Sequence, residues 1–96
     1  MAAVEVTTFW LAPGVSDDDF LALDRRLQTE LVPNQPGFLR RTTARRGGGW
    51  LVVTLWASEA HAAAFDEATA GHDLREAFTA HVDAASLTSA RFDTLD

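Results

Sequence analysis

The sequence predicts a single α+β domain, residues 1–96, in which strand, helix, strand, strand, helix and strand follow one another. Two observations lead to this prediction. Segments with the two-residue period of strands alternate with segments that have the 3.6-residue period of helices. The segment 50–56 is apolar on both of its faces, which indicates a strand that is covered on both sides. This order is the ferredoxin-like βαββαβ arrangement, an antiparallel sheet with both helices on one face.

The first strand and the first helix are defined by the residues at their ends. Residues 4–11 are rich in β-branched and aromatic types, which predicts a strand, and Pro13-Gly14 ends it. Ser16 precedes three aspartates, which predicts a helix N-terminus because the hydroxyl can cap free N–H groups and carboxylates suit the helix dipole. Four apolar residues at helical spacing extend this helix to about residue 32: Phe20, Leu23, Leu27 and Leu31.

Glycine, proline and serine mark the limits of the remaining elements. Pro36-Gly37 predicts a turn, Gly47-Gly48-Gly49 a hairpin loop, Ser58 a helix cap and Gly71 a break in the second helical region. The predicted elements are strands at 38–46 and 50–57, helical segments at 59–70 and 73–83, and a last strand at about 86–95.

Composition excludes several classes of protein. The formal charge is −6, which argues against nucleic acid or an anionic membrane as a partner. No apolar run approaches the ~20 residues of a membrane span, and no secretory pattern opens the sequence. Without cysteine there are no disulfides, thiolate zinc sites or thiol nucleophiles, and no metal-ligand spacing is present. We therefore expect a cytoplasmic protein with no bound metal.

The third strand also predicts self-association. Two helices of a 96-residue chain can cover one face of a four-stranded sheet but not both. The second apolar face needs another cover, and a second copy of the chain is the simplest one. The sequence therefore predicts a homodimer.

Three features of the chain are shared with a known family. They are the element order, the Pro36-Gly37 step into the second strand, and the junction Leu55-Trp56-Ala57-Ser58-Glu59-Ala60 between the third strand and the next helix. Over nearly its full length the chain resembles the antibiotic biosynthesis monooxygenase-like branch of the dimeric α+β barrel superfamily. The resemblance implies two sheets paired face to face, helices outside, and a cavity between sheet and helices in each subunit. It also implies oxygenation of a small aromatic or polyketide-like substrate without a cofactor.

The chain departs from that family at positions that carry chemistry. Members commonly use an Asn on the sheet and a nearby Trp, and haem-degrading members also use a His. Here the only Asn is Asn34, in a loop, the aromatic residue of the second helix is Phe65, and the haem-ligand position falls near Thr79. Haem cleavage is therefore not expected. Two other functions stay open, a ligand-binding or stress-associated protein without catalysis, and a polyketide cyclase or isomerase.

Three side chains are candidates for proton transfer. Asp24 lies about 40° from Phe20 around the first helix, at the flank of its apolar stripe, where a carboxylate can accept a proton. The alternative is a solvated or arginine-paired residue. His61 and His81 lie on the apolar side of the second helical region, and imidazole is the commonest general base near pH 7. The alternative for both is a hydrogen bond at a helix end.

Five side chains are candidates for contact with a small aromatic ligand: Thr8, Trp10, Arg40, Phe65 and Phe78. Trp10 is predicted to line the mouth of the pocket, and Thr8 points to the same side of its strand. An inward Arg40 or Arg41 can hold a phenolate or a carboxylate. The alternative for these arginines is protection of the sheet edge, because the second strand is predicted to lie there.

Overall fold

The computed structural model of the protein describes residues 1–95 and confirms the predicted βαββαβ order. The elements are β1 (Ala3–Trp10), α1 (Asp17–Arg26) with a π-helical extension (Leu27–Leu31) and a 3₁₀ turn (Val32–Asn34), β2 (Phe38–Arg46), β3 (Gly49–Trp56), α2 (Glu59–Thr69), α3 (Asp73–His81), a second 3₁₀ turn (Ala84–Ser86), and β4 (Thr88–Asp93). The four strands form one antiparallel sheet in the order β2-β3-β1-β4, so β2 lies at an edge as predicted.

The helices cover one face of the sheet, which we call the inner face, and leave the opposite side, the open face. On β3 the inner residues are Trp50, Val52, Thr54 and Trp56, and all four are buried. The residues between them, Leu51, Val53 and Leu55, are half-buried on the open face. The third strand is therefore apolar on both sides, and the described chain covers only one of them.

Two apolar clusters fill the space between the inner face and the helices. Trp56 belongs to the first cluster, together with leucines of α1 and its π-helical extension. The second cluster joins Phe9 and Trp50 of the sheet to Phe20 of α1. The rings of Phe9 and Phe20 meet edge to face at 5.4 Å between centroids, a favourable aromatic geometry. The two clusters lie toward opposite ends of β3.

Local side-chain chemistry confirms the predicted helix starts. The Ser16 hydroxyl accepts a hydrogen bond from the Asp19 N–H at 3.0 Å, and the Ser58 hydroxyl accepts one from the His61 N–H at 3.2 Å. Several boundaries differ from the prediction by one or two residues, and two of them have a local explanation. Gly49 belongs to β3, so the hairpin turn is shorter than three glycines. The last strand begins at Thr88 because Asp83 caps the second 3₁₀ turn through the Ala85 N–H.

Gly37 and Gly47 form a matched pair for a test of the turn before β2. Both have positive φ, +81° and +60°. A Cβ at Gly37 would lie 2.2 Å from Cγ of His61, whereas one at Gly47 meets open space. Gly47→Ala is therefore expected to cost about 1 kcal/mol of backbone strain. Gly37→Ala is expected to cost about 1–3 kcal/mol more from overpacking. Urea unfolding of both variants measures this, and equal losses would contradict it.

Candidate functional site

A cavity of about 560 Å³ lies between the inner face of the sheet and the helical layer. Residues from all four strands, α1's π-helical extension, α2 and α3 line it. The sheet contributes a mixture of polar and apolar side chains, and the helices contribute mainly Phe65 and Phe78 as aromatic surface. The volume falls within the roughly 300–1,000 Å³ of small-molecule sites.

Four polar residues form a continuous row across the floor of the cavity, which we call the polar rung. In the strand register Arg41 pairs with Thr54, Thr54 with Glu5, and Glu5 with Arg91. All four line the cavity. On one side of the rung Trp56 provides aromatic surface, and on the other side Val52 lies between Thr43 and Thr7 in the register. A flat ligand lying on this floor would meet polar groups across its middle and the aromatic surface of Trp56 on one side.

An irregularity in β2 determines which of its arginines enters the cavity. The register between β2 and β3 shifts between Phe38 and Arg40. Because such a bulge adds a residue to one strand, it reverses which parity faces inward. Phe38 and Arg41 consequently share the inner face, and Arg40 lies on the open face, where it is exposed. The structure thus corrects the expectation that Arg40 contacts a ligand in this cavity, and Arg41 takes that place.

Arg41 is held by the first helix and by its own strand. Its Nη1 lies 2.8 Å from Oδ1 of Asp24 and donates to the side-chain oxygens of Gln28 at 3.2 Å and Thr43 at 3.3 Å. The Thr43 hydroxyl donates to the same Asp24 oxygen at 3.1 Å. The side chains of Arg41 and Asp24 are only 5% and 13% exposed. Asp24 is thus the arginine-paired residue of the two alternatives, and it lies behind Arg41.

Arg91 connects the opposite end of the polar rung to α2 through hydrogen bonds. Its Nε donates to Glu5 at 2.9 Å, its Nη1 to Glu59 at 3.1 Å, and its Nη2 to Asp66. Burial would lower the pKa of Arg91, but its hydrogen bonds to Glu5 and Glu59 outweigh this effect and raise that pKa above its ordinary value. Arg91 is therefore a permanent cation, and each of its three side-chain nitrogens donates to the protein.

The helical wall of the cavity is aromatic. Phe65 packs at a tilt against Trp56, with 5.0 Å between the ring centroids, and the guanidinium of Arg75 lies 5.0 Å from the centroid of the Phe65 ring. Phe78 packs against both apolar clusters. Phe65 and Phe78, two of the predicted ligand-contact residues, both line the cavity.

Thr8 and Trp10 lie on the open face, away from this cavity, which corrects the expectation that Trp10 lines its mouth. Thr8 pairs with Leu51 in the register, and both point away from the helices. The Trp10 side chain is 56% exposed and covers Gly48, whose added Cβ would come within 2.5 Å of the indole ring. Successive side chains of a strand point to opposite faces of the sheet. Because Phe9 of β1 points toward the helices, its neighbours Thr8 and Trp10 point away from them.

Both histidines with a predicted catalytic role make hydrogen bonds at helix ends. His61 Nδ1 lies 2.7 Å from the Ser58 hydroxyl at the start of α2, and His81 Nδ1–H donates to the Ala77 carbonyl at 2.7 Å at the end of α3. Neither side chain is among those that line the cavity. His72 caps α3 by accepting the Leu74 N–H at 3.1 Å.

Sequence reasoning did not select Glu5, Thr54 and Arg91 as site residues. Thr54 is the one polar residue among the inward positions of β3, whereas Glu5 and Arg91 have other polar residues at inward positions of their strands, so the sequence pattern does not mark them. Within residues 1–95, no three or more His, Asp or Glu side chains are arranged to hold a metal ion. No helix of the described part has both the length and the apolar character of a membrane crossing.

The chain has the same fold as solved structures that are named antibiotic biosynthesis monooxygenases. The crystal structure of SnoaB, a cofactor-independent oxygenase from Streptomyces nogalater, superposes with a TM-score of 0.83 at 15% identity and covers 99% of this chain and 94% of that chain.

Two further structures have the same fold. A structure named as an antibiotic biosynthesis monooxygenase gives a TM-score of 0.77 at 18% identity, with full coverage of both chains, 100% each. A conserved protein from Methanosarcina mazei Go1 gives 0.81 at 11% identity, over 98% of this chain and 93% of that one. No protein-family model and no curated protein matches the sequence. At these identities the likeness concerns the fold.

Proposed function

We propose that the protein is a cofactor-independent monooxygenase that acts on a small aromatic or polyketide-like ketone in the cavity. The observation that carries the proposal is the cavity itself, with a polar rung across its floor and Trp56, Phe65 and Phe78 as aromatic surface. The shared fold with a cofactor-independent oxygenase supports the reaction class. Fold alone does not define function, and the polar rung supplies the groups for the chemistry.

Glu5 is the proposed proton acceptor. Its Oε2 is bound to Arg91, and its Oε1 has no hydrogen-bond partner among residues 1–95. Neighbouring strands lie about 4.8 Å apart, so the backbones of Glu5 and Arg41 are about 10 Å apart across Thr54. A flat ketone lying over Thr54 can direct its oxygen to Arg41 and an acidic CH₂ group toward Glu5. The enolate charge that then develops lies beside a fixed cation.

The reaction balances without a bound cofactor. Loss of the CH₂ proton to Glu5 leaves a carbanion, which transfers electrons to O₂ and forms a new C–O bond, giving a peroxide anion. The peroxide anion takes the proton back from Glu5 and becomes a hydroperoxide. Loss of water from that hydroperoxide gives a C=O group in place of the CH₂. One O₂ is consumed, one oxygen atom enters the product, and the other leaves as water. The protein's part is to position the substrate, remove the proton and stabilise the anion.

We further propose that a second copy of the chain covers the open face. Its apolar cross-strand pairs, Val4 with Leu55 and Val6 with Val53, lie at the centre of the sheet. Phe92 and Trp10 extend this surface and are more than half exposed in the single chain. An apolar patch of this kind typically marks an interface, and the superfamily resemblance indicates pairing of two sheets.

Oxygen uptake with an anthrone tests the proposal. We expect uptake of one O₂ per anthrone at a rate well above the protein-free rate, unchanged by a metal chelator, with the matching anthraquinone as product. Incubation under ¹⁸O₂ should place one labelled atom in the new carbonyl. Anthrone conversion without oxygen uptake would instead indicate cyclase or isomerase chemistry. Binding without any conversion would refute the enzyme assignment.

A ligand-binding role without catalysis is the second candidate. It is favoured by the position of His61 and His81, whose Nδ1 atoms serve helix ends and whose side chains do not line the cavity. In that case the cavity would bind an anthraquinone as tightly as an anthrone and would leave both unchanged.

A further inference from the structure

Arg41 offers hydrogen-bond donors that none of residues 1–95 uses. Its side chain is 5% exposed, and its polar contacts with described residues are all made by Nη1, to Asp24, Gln28 and Thr43. Among residues 1–95, Nε and Nη2 have no hydrogen-bond partner. In that range, the side-chain nitrogens that are fully buried and have no hydrogen-bond partner are those of Trp50 and Trp56. Nε and Nη2 of Arg41 are not among them, so neither atom is fully buried. Since Arg41 lines the cavity, these donors are available to a ligand there.

The other two arginines of the cavity are used differently. Arg91 employs Nε, Nη1 and Nη2 in contacts to Glu5, Glu59 and Asp66. Arg75 donates to Thr69 at 2.7 Å and lies over the Phe65 ring, with a third of its side chain exposed. Arg41 alone of the three combines deep burial with two N–H directions left open. A ligand that accepts hydrogen bonds from Nε and Nη2 would gain charge-assisted hydrogen bonds there.

We propose that Nε and Nη2 of Arg41 form a two-point recognition site for a planar ligand group in which two oxygens share one negative charge. The guanidinium edge presents two parallel N–H groups, which match a carboxylate or an ionised 1,3-dicarbonyl. Asp24 and Thr43 fix the opposite end of the guanidinium, so its orientation is set before a ligand arrives. This site rests on the proposed function in using the same cavity, with the ligand's rings against Phe65 and Phe78.

The selectivity of this site depends more on the direction of the Arg41 N–H groups than on the net charge of the cavity. Asp24 balances the charge of Arg41, while Glu5 and Asp66 face Arg75 and Arg91 around the cavity. A lysine at position 41 would keep the ion pair with Asp24 but would lose the paired N–H groups. Because the lysine ammonium can still donate one of the two hydrogen bonds, loss of the other should weaken binding of a matched anion by about 10- to 100-fold.

Calorimetric titration with three flat probes tests the site: 2-naphthoate, neutral 2-naphthamide, and 2-acetyl-1,3-indandione, which is ionised at neutral pH. The unaltered protein is expected to prefer at least one of the two anions over the amide by about 10-fold or more. Preference for naphthoate would identify a carboxylate ligand, and preference for the indandione an enolate. Arg41→Lys should reduce the preference to within about threefold. Arg45→Lys, an exposed inner-face change on the same strand, should keep it.

Equal binding of all three probes by the unaltered protein, or a preference that survives in Arg41→Lys, would overturn the site. If circular dichroism shows that Arg41→Lys does not fold, the neutral pair Arg41→Gln with Asp24→Asn provides the same comparison. The titration contains no oxygen-dependent step. Failure of oxygen uptake with intact Arg41-dependent binding would therefore refute the oxygenase alone, and turnover with no anion preference would refute this site alone.

Discussion

Replacing Glu5 by Gln is expected to lower the rate of anthrone oxidation by about 10²- to 10⁴-fold, the usual contribution of a positioned general base. Gln is close to Glu in size and can still accept a hydrogen bond from Arg91 at the end of the polar rung. It cannot take up a proton, so the carbanion would not form. Initial rates of oxygen uptake at saturating anthrone measure the effect, and unfolding in urea shows how much stability the lost ion pair contributes.

The double variant His61→Ala, His81→Ala is the matched comparison. Neither histidine lines the cavity, so the double variant should keep oxygen uptake within a few-fold of the unaltered protein. The hypothesis drawn from sequence, in which one of these histidines is the base, predicts the reverse order. Loss of activity in the histidine variant with a fully active Glu5→Gln variant would contradict the assignment of Glu5.

Val53→Asp is expected to convert the proposed dimer into single chains. Val53 lies opposite Val6 at the centre of the open face, where a second copy would bury it. A buried carboxylate without a partner costs several kcal/mol, and twofold symmetry places one from each copy at the interface. We expect the dimer dissociation constant to rise by at least about 100-fold. Sedimentation velocity at micromolar concentration measures this.

The fold of the single chain should survive that substitution, because Val53 points away from the helices. Ala63→Asp, on the exposed side of α2, is the control and should leave association unchanged. An unaltered protein that sediments as single chains would contradict the proposed dimer directly. Unchanged association of Val53→Asp would show that copies meet through another surface.

The order of the elements was predictable because the period of the apolar residues agrees with the positions of the Gly, Pro and Ser residues that end or begin each element. Ser16 and Ser58 start helices where a hydroxyl followed by acidic or small residues predicts a start. Alternate residues of β3 point to opposite faces of the sheet. Apolar residues occur in both sets, which indicated that both faces carry apolar surface. These signals are local or nearly so, and tertiary packing did not override them.

The site was only partly predictable, because its floor depends on register. A bulge of one residue near Leu39 determines whether Arg40 or Arg41 faces the cavity, and no feature of the local sequence marks this bulge. Glu5 and Arg91 are neighbours only after β1 and β4 pair across 86 positions of chain. Phe65 and Phe78 were accessible to prediction because they lie on the apolar sides of helices, which sequence period reveals.

The most direct test of the account is a crystal structure of the protein grown with an anthraquinone. We expect electron density for the ligand in the 560 Å³ cavity, with its rings against Phe65 and Phe78 and an oxygen within hydrogen-bond distance of Nε or Nη2 of Arg41. A ligand bound elsewhere, or a cavity closed by the side chains of the polar rung, would contradict it.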